Sequence, residues 1–280
     1  MTRRVGARRP DDPRLAEAFD EQWSLVSAGV DALGDAAFTE ASVLPGWTVG
    51  DLVAHCARSG GALARALEAV AADGAGRDEA RGSGADGTGV ADAVGYLGGV
   101  GARTDAIADT ARADAAGLSA DTLRALLRDA VADSSKALTA ALADSGGAPG
   151  WDRVVRSPGG LVRLGDFVVT RCVEGVVHGL DLGLPPARDA LRIVTRVLVD
   201  VLATRAPGRS VELRVPPFAA VQVVEGPRHT RGTPPNVVEA DPVAFVQVAA
   251  GRLDWATAVA DGRLTASGDR ADLRTWLPLL

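Results

Sequence analysis

Apolar residues recur at a helical period along the first two-thirds of the chain. Leu15, Phe19, Gln22/Trp23, Val26, Val30 and Leu33 predict a first helix near 12–34. Leu44-Pro45-Gly46-Trp47 then breaks the chain. Thr48, with Asp51 three residues on, has the spacing of a capping box and opens a second helix over about 48–71. Val49, Leu52, Val53, Cys56, Leu63, Leu67 and Val70 share its broad apolar face. Residues 72–90, dense in Gly and Asp, predict a mobile loop. A weaker helical stretch follows over about 91–115, its first half diluted by Gly95, Gly98, Gly99 and Gly101. Ser119 caps a third helix over 120–143, striped by Leu123, Leu127, Val131 and Leu138. Residues 144–165 form a loop with a short extended pair around Val154-Val155 and Leu161-Val162, and another helix covers about 166–182. Four such helices predict an antiparallel bundle.

The pattern changes after Pro185-Pro186. Beyond a helix at about 188–205, β-branched runs at 211–215, 220–224 and 236–240 alternate with Gly and Pro. Asp241-Pro242 opens a helix through Ala250, and two shorter helices and a strand near Leu264-Thr265 complete a small α+β part. The expected organisation is therefore an α+β two-domain chain, with a four-helix bundle over 1–184 and a small α+β domain over 185–280.

Composition narrows the chemistry. Of 280 residues, 47% are hydrophobic and 24% charged, which fits a folded chain and no membrane bundle. A formal net charge of -6 argues against nucleic acid as a partner. The Arg-rich start lacks the apolar core of a secretory signal and reads as a solvated tail. The rare residues are few enough to name: His55, His178 and His229; Cys56 and Cys172; and Lys136. Two cysteines make no disulfide framework, so a reducing, cytoplasmic setting is expected and both serve as packing residues. His229 falls in a turn and Lys136 on a helix surface.

The helix at 166–182 carries the chemistry. Its apolar residues cover most of the circumference, which marks burial, yet Arg171, Glu174, His178 and Asp181 fall on one stripe. Buried charges are costly unless paired or bound to metal, so this stripe should face a polar cavity. Glu174 and His178, four apart, converge, and His55 lies beside the apolar face of the second helix. His-Glu-His is a ligand set of catalytic zinc with one position open. The same spacing also suits a plain Glu174–His178 ion pair with His55 as a core histidine.

Leu44-Pro45-Gly46-Trp47-Thr48 through Asp51-Leu52-Val53-Ala54-His55 resembles the first signature of the mycothiol-dependent maleylpyruvate isomerase family, and Arg171-x-x-Glu174-x-x-x-His178-x-x-Asp181-Leu182-Gly183 resembles its second. The tail from Ala249-Ala250-Gly251-Arg252 to Ser267-Gly268-Asp269 is similar too. The resemblance implies a DinB-like four-helix bundle with a divalent metal, usually zinc, and a sterol-carrier-like C-terminal domain. It implies His55, Glu174 and His178 as metal ligands; Asp181 is either a partner behind a ligand histidine or merely a helix-end residue. Arg252 is implied as a catalytic residue, with Arg103 and Arg252 as binders of anionic substrate or cofactor. Arg171 joins them, or serves as a structural partner of Glu174 or Asp181. The implied activity is a mycothiol-dependent isomerase or S-transferase acting on an electrophilic small-molecule acid, as a monomer or weak homodimer, with no nucleic-acid or membrane partner. The competing expectation is a non-catalytic lipid- or small-molecule-binding protein whose metal is structural or absent.

Overall fold

The computed structural model describes residues 14–73, 89–143, 150–227 and 235–280. The Arg-rich start, most of the expected 72–90 loop and His229 lie outside the described residues. The chain divides into two compact units, Met1–Ala190 and Leu191–Leu280.

In the first unit, α1 (Leu15–Asp31), α2 (Val49–Gly60), α6 (Ala120–Ala143) and α7 (Leu164–Asp181) form a four-helix bundle. Both α1 and α2 pack against α6 and α7. The apolar periodicity explains the arrangement: Phe19, Trp23, Leu52, Leu63, Leu127, Leu138 and Phe167 are all fully or almost fully buried. Small residues set how closely the helices approach. A Cβ on Gly175 would come within 3.0 Å of Gln22 Cγ and 3.1 Å of Trp23 Cε2, so this glycine lets α1 lie directly on α7. The contact is also polar. The Trp23 indole donates to the Arg171 carbonyl at 3.1 Å, and Gln22 donates to the Gly175 carbonyl at 2.9 Å.

The expected second helix is in fact two. It breaks at Gly61, and α3 (Ala62–Asp73) continues the apolar pattern. The periodicity hides the break because both pieces bury one face. Long-range bonds replace the lost helical ones: the Ala64 amide donates to buried Ser134 Oγ on α6 at 3.1 Å, and the Arg65 guanidinium caps the Arg58 carbonyl. The weak stretch after the Gly-rich segment likewise resolves into α4 (Ala93–Gly98), a single 3₁₀ turn and α5 (Thr104–Ala115). It is preceded by a strand absent from the sequence reading, β1 (Val90–Ala91). Two residues are too few to show alternation, and β1 is defined by parallel pairing with distant β3 (Gly160–Arg163), itself the partner of β2 (Val154–Ser157).

The second unit holds most of α8 (Arg188–Arg205) and a four-stranded sheet ordered β5-β4-β6-β7. These strands are β4 (Val211–Val215), β5 (Ala219–Val223), β6 (Val237–Ala240) and β7 (Leu264–Ser267), with α9 (Pro242–Ala249) and α10 (Trp255–Ala260) between β6 and β7. β4 alternates buried and half-buried positions throughout, as a strand with one covered face should. Arg205 at the end of α8 donates to the carbonyls of Trp276, Pro278 and Leu279, tying down the C-terminal segment. The small α+β domain expected from the β-branched runs is thus present. No helix among the described residues is long and apolar enough to cross a membrane.

Candidate metal centre

Two local motifs set the helices that carry the donors. At the start of α2, Thr48 Oγ1 accepts from the Asp51 amide at 3.1 Å, and Asp51 accepts from the Thr48 amide at 2.8 Å. This capping box satisfies two helix-end donors and fixes where His55 falls, almost two turns later. At the end of α7, Gly183 adopts φ 76°, its amide bonds the Leu180 carbonyl, and the Leu184 amide bonds the Gly179 carbonyl. That paired arrangement is a Schellman stop, and it secures the last turn, which bears His178 and Asp181.

The donors of His55, Glu174 and His178 lie within 4.8 Å of one another. Glu174 Oε2 is 3.0 Å from His55 Nε2 and 3.4 Å from His178 Nε2. Ligand atoms around a tetrahedral zinc with bonds of about 2.0–2.1 Å stand about 3.3 Å apart, so these two edges fit such an ion. Two neutral imidazoles and one carboxylate also match the chemistry of a divalent site with an open position. The two imidazoles meet edge to face, with ring centroids 4.7 Å apart, and Trp47 packs edge-on against His55 at 5.6 Å.

Other side chains orient the donors. Asp181 Oδ2 lies 2.9 Å from His178 Nδ1. That contact holds a proton on Nδ1 and fixes the ring so that Nε2 is the atom facing Glu174, the usual device behind a ligating histidine. Ser59 Oγ, one turn beyond His55, donates to Glu174 Oε2 at 3.0 Å. Arg171 Nη2 stands 3.9 Å from the other carboxylate oxygen, Oε1. The two oxygens of Glu174 therefore have different neighbours.

Packing sets the titration of the cluster. Burial alone would raise the Glu174 carboxyl. Hydrogen bonds to His178 and His55 and the Arg171 charge outweigh it and hold the group well below its ordinary value. Burial would likewise depress His178, but Asp181 and Glu174 lift it to about 9. In His55 burial prevails over its bond to Glu174, and the imidazole is pushed down. The cysteines are buried and free. Burial raises both thiols, Cys172 to about 12, so neither is a ready nucleophile.

The structure brings His55, Glu174, His178, Asp181 and Arg171 together. Arg103 sets its guanidinium over the Tyr96 ring at 5.1 Å and donates to the Gly99 carbonyl. Arg252 belongs to the second unit, where it donates to the Ala250 carbonyl at 2.7 Å. Sequence reasoning missed Ser59. Its position four residues after His55 was the available signal, since that spacing puts both on one helix face.

Residues 19–183 match the family described as the mycothiol maleylpyruvate isomerase N-terminal domain, and residues 187–279 match the bacterial SCP ortholog family. Among solved structures, the mycothiol-dependent maleylpyruvate isomerase aligns at 21% identity with a TM-score of 0.60. A histidine-to-alanine mutant of that isomerase aligns at 20% with 0.59, and each pairing covers 93% of both chains. At these identities the likeness is one of fold. No curated protein matches the chain in sequence. The first matched segment spans more than half of the chain and contains all three converging donors. The chain belongs to the mycothiol maleylpyruvate isomerase N-terminal domain family.

Proposed function

We propose that this protein is a metal- and thiol-dependent enzyme that acts on an electrophilic small-molecule acid, by cis–trans isomerisation or by transfer of the thiol sulfur. The observation that carries the proposal is the convergence of His55, Glu174 and His178 at one point, with Asp181 and Ser59 orienting them. A divalent ion held there, zinc by preference of the donor set, supplies a Lewis-acid position that keeps a small thiol ionised near neutral pH. The thiol is mycothiol in this reading. It would supply a nucleophilic sulfur for isomerising an activated double bond, or for transfer to a carbon bearing a leaving group.

The chain's own residues bind and orient. Asp181 holds the His178 proton on Nδ1 and leaves Nε2 for the ion. Ser59 steadies the Glu174 oxygen that faces both histidines. Trp47 covers one edge of His55 and limits water there. Arg103 and Arg252 are proposed to hold carboxylates of the acid or the thiol through bidentate bonds, with Arg252 acting in catalysis. The protein contributes no sulfur of its own, in keeping with two buried, poorly acidic cysteines. Free thiols also suit a reducing cytoplasm.

Metal analysis of the purified protein and of Glu174→Ala tests this reading, alongside turnover of a cis-enedione acid with and without mycothiol. Stoichiometric zinc that is lost in the variant, and turnover that needs the thiol, are expected. Protein without metal in either form leaves a non-catalytic binding protein instead. Net consumption of thiol during turnover selects transfer over isomerisation.

A further inference from the structure

Tyr96, the one tyrosine of the chain, lies on α4 with its ring buried against α7. Several contacts fix this short helix. β1 pairs in parallel with β3, so the chain enters α4 beside the β2–β3 hairpin. Asp92 Oδ1 caps the helix by accepting from the Gly95 amide at 2.8 Å. The Ala93 amide donates to Asp166 Oδ1 at 3.1 Å, which ties the start of α4 to the first turn of α7. The Tyr96 ring then meets Phe167 of α7 edge to face, with centroids 6.1 Å apart.

This ring links Arg103 to the helix that bears Glu174 and His178. Arg171 of that helix has its Cζ 6.0 Å from the ring centroid, and Arg103, from the 3₁₀ turn after α4, has its Cζ at 5.1 Å. A guanidinium within about 6 Å of a ring face is attracted by the electron density there. The Arg103 Nε also donates to the Gly99 carbonyl at 3.4 Å, which leaves the Nη atoms at the outer end of the side chain. Gly159, at the tip of the β2–β3 hairpin, comes up against both partners. A Cβ there would lie 2.5 Å from Tyr96 Cε2 and 2.8 Å from Arg103 Nη1. The backbone of Gly159 is not left-handed, so this contact alone hinders a side chain. The tip is itself held, because Ser157 Oγ donates to the Gly160 carbonyl at 2.8 Å and accepts from the Gly159 amide at 3.2 Å.

We propose that Tyr96 is a positioning residue for the proposed reaction: its ring, pressed by the bare backbone of Gly159, sets the direction in which Arg103 presents its guanidinium to an acid group of the substrate. The ring does this, not the hydroxyl. The proposal rests on the carboxylate role given to Arg103 above, and its test separates the two. Succinate, a dicarboxylate with no double bond to react, is titrated by calorimetry into the full-length protein, metal-free and zinc-loaded. The proteins are wild type, Arg103→Gln, Tyr96→Leu, Tyr96→Phe and Gly159→Ala. Arg103→Gln should bind succinate about tenfold more weakly or worse. Tyr96→Leu, which removes the aromatic face, and Gly159→Ala, which pushes a methyl group into it, should each lose about three- to tenfold. Tyr96→Phe keeps the face and should stay within about twofold of wild type. Zinc affinity should be the same in all five. In turnover of a cis-enedione acid, KM should rise with the loss of succinate affinity while kcat holds.

If Arg103→Gln loses succinate but Tyr96→Leu and Gly159→Ala bind it as wild type does, the positioning is overturned and the role of Arg103 stands. If Tyr96→Phe loses as much as Tyr96→Leu, the hydroxyl acts instead of the ring, which also overturns it. A fall in kcat or zinc affinity with KM unchanged means the ring serves only the packing of α4 on α7, and again overturns it. Unchanged binding in Arg103→Gln, or none in wild type, refutes the carboxylate role of Arg103 and the positioning with it. A wild type that takes up no zinc refutes the metal reading alone, since the metal-free titrations still decide the positioning. Should Tyr96→Leu fail to fold, Gly159→Ala against Tyr96→Phe carries the comparison.

Discussion

Asp181→Asn isolates the support behind one donor. The Asp181 side chain is 1% exposed, and its Oδ2 lies 2.9 Å from His178 Nδ1. Asparagine has nearly the same shape and can still accept through its amide oxygen, so the packing survives while the charge is lost. A hydrogen bond to a charged group contributes about 1.5–3 kcal/mol, against about 0.5–1.5 kcal/mol for a neutral one. The difference, about 1–2 kcal/mol, corresponds to a five- to thirtyfold loss of zinc affinity. Partners behind metal-binding histidines typically account for 10–100-fold, so the expectation lies at the lower end of that range. The assay is competition for zinc against a chromophoric chelator at fixed pH, with thermal unfolding of the metal-free proteins run in parallel. Asp166→Asn serves as the control. Asp166 is also a buried carboxyl on α7, raised by that burial, but it accepts from the Ala93 amide at 3.1 Å and does not touch the donors. If Asp181→Asn binds zinc within twofold of wild type, or if Asp166→Asn loses as much, the argument that Asp181 orients His178 toward a metal is wrong.

Ser59→Ala removes the 3.0 Å bond to Glu174 Oε2 and should weaken zinc about three- to tenfold without a change in circular dichroism; an unchanged affinity rejects that role. Gly175→Ala forces a methyl group to within 3.0 Å of Gln22 Cγ, so urea unfolding should show about 1–3 kcal/mol of lost stability. A loss under about 0.5 kcal/mol means α1 and α7 separate more easily than their packing implies. Thr48→Ala breaks the capping box and should cost about 1 kcal/mol in the same measurement, and no loss rejects the box as a source of stability. Iodoacetamide should leave Cys56 and Cys172 unmodified in the native protein and label both in urea, as read by mass spectrometry; fast native labelling contradicts their burial.

Helices α1, α6 and α7 were readable because each buries one face over several turns, and periodicity reports that directly. The caps at Thr48 and Ser119 were readable for a similar reason, since each involves residues within a few positions. The break at Gly61 was not, because what stabilises it comes from Ser134, which lies 70 residues from the Ala64 amide it accepts. Nor was β1, whose two residues gain strand geometry only from β3.

The site divides along the same line. Spacing alone placed Arg171, Glu174, His178 and Asp181 on one stripe of one helix, because 3.6 residues per turn is a local property. That His55 comes to 3.0 Å from Glu174 was decided by the packing of α2 against α7, which joins residues 119 apart in the chain. Packing also turned Ser59 toward Oε2. A linear pattern records which face a residue occupies. Which groups meet across two faces depends on how helices approach, and that is settled by the fit of side chains such as Trp23 against Gly175.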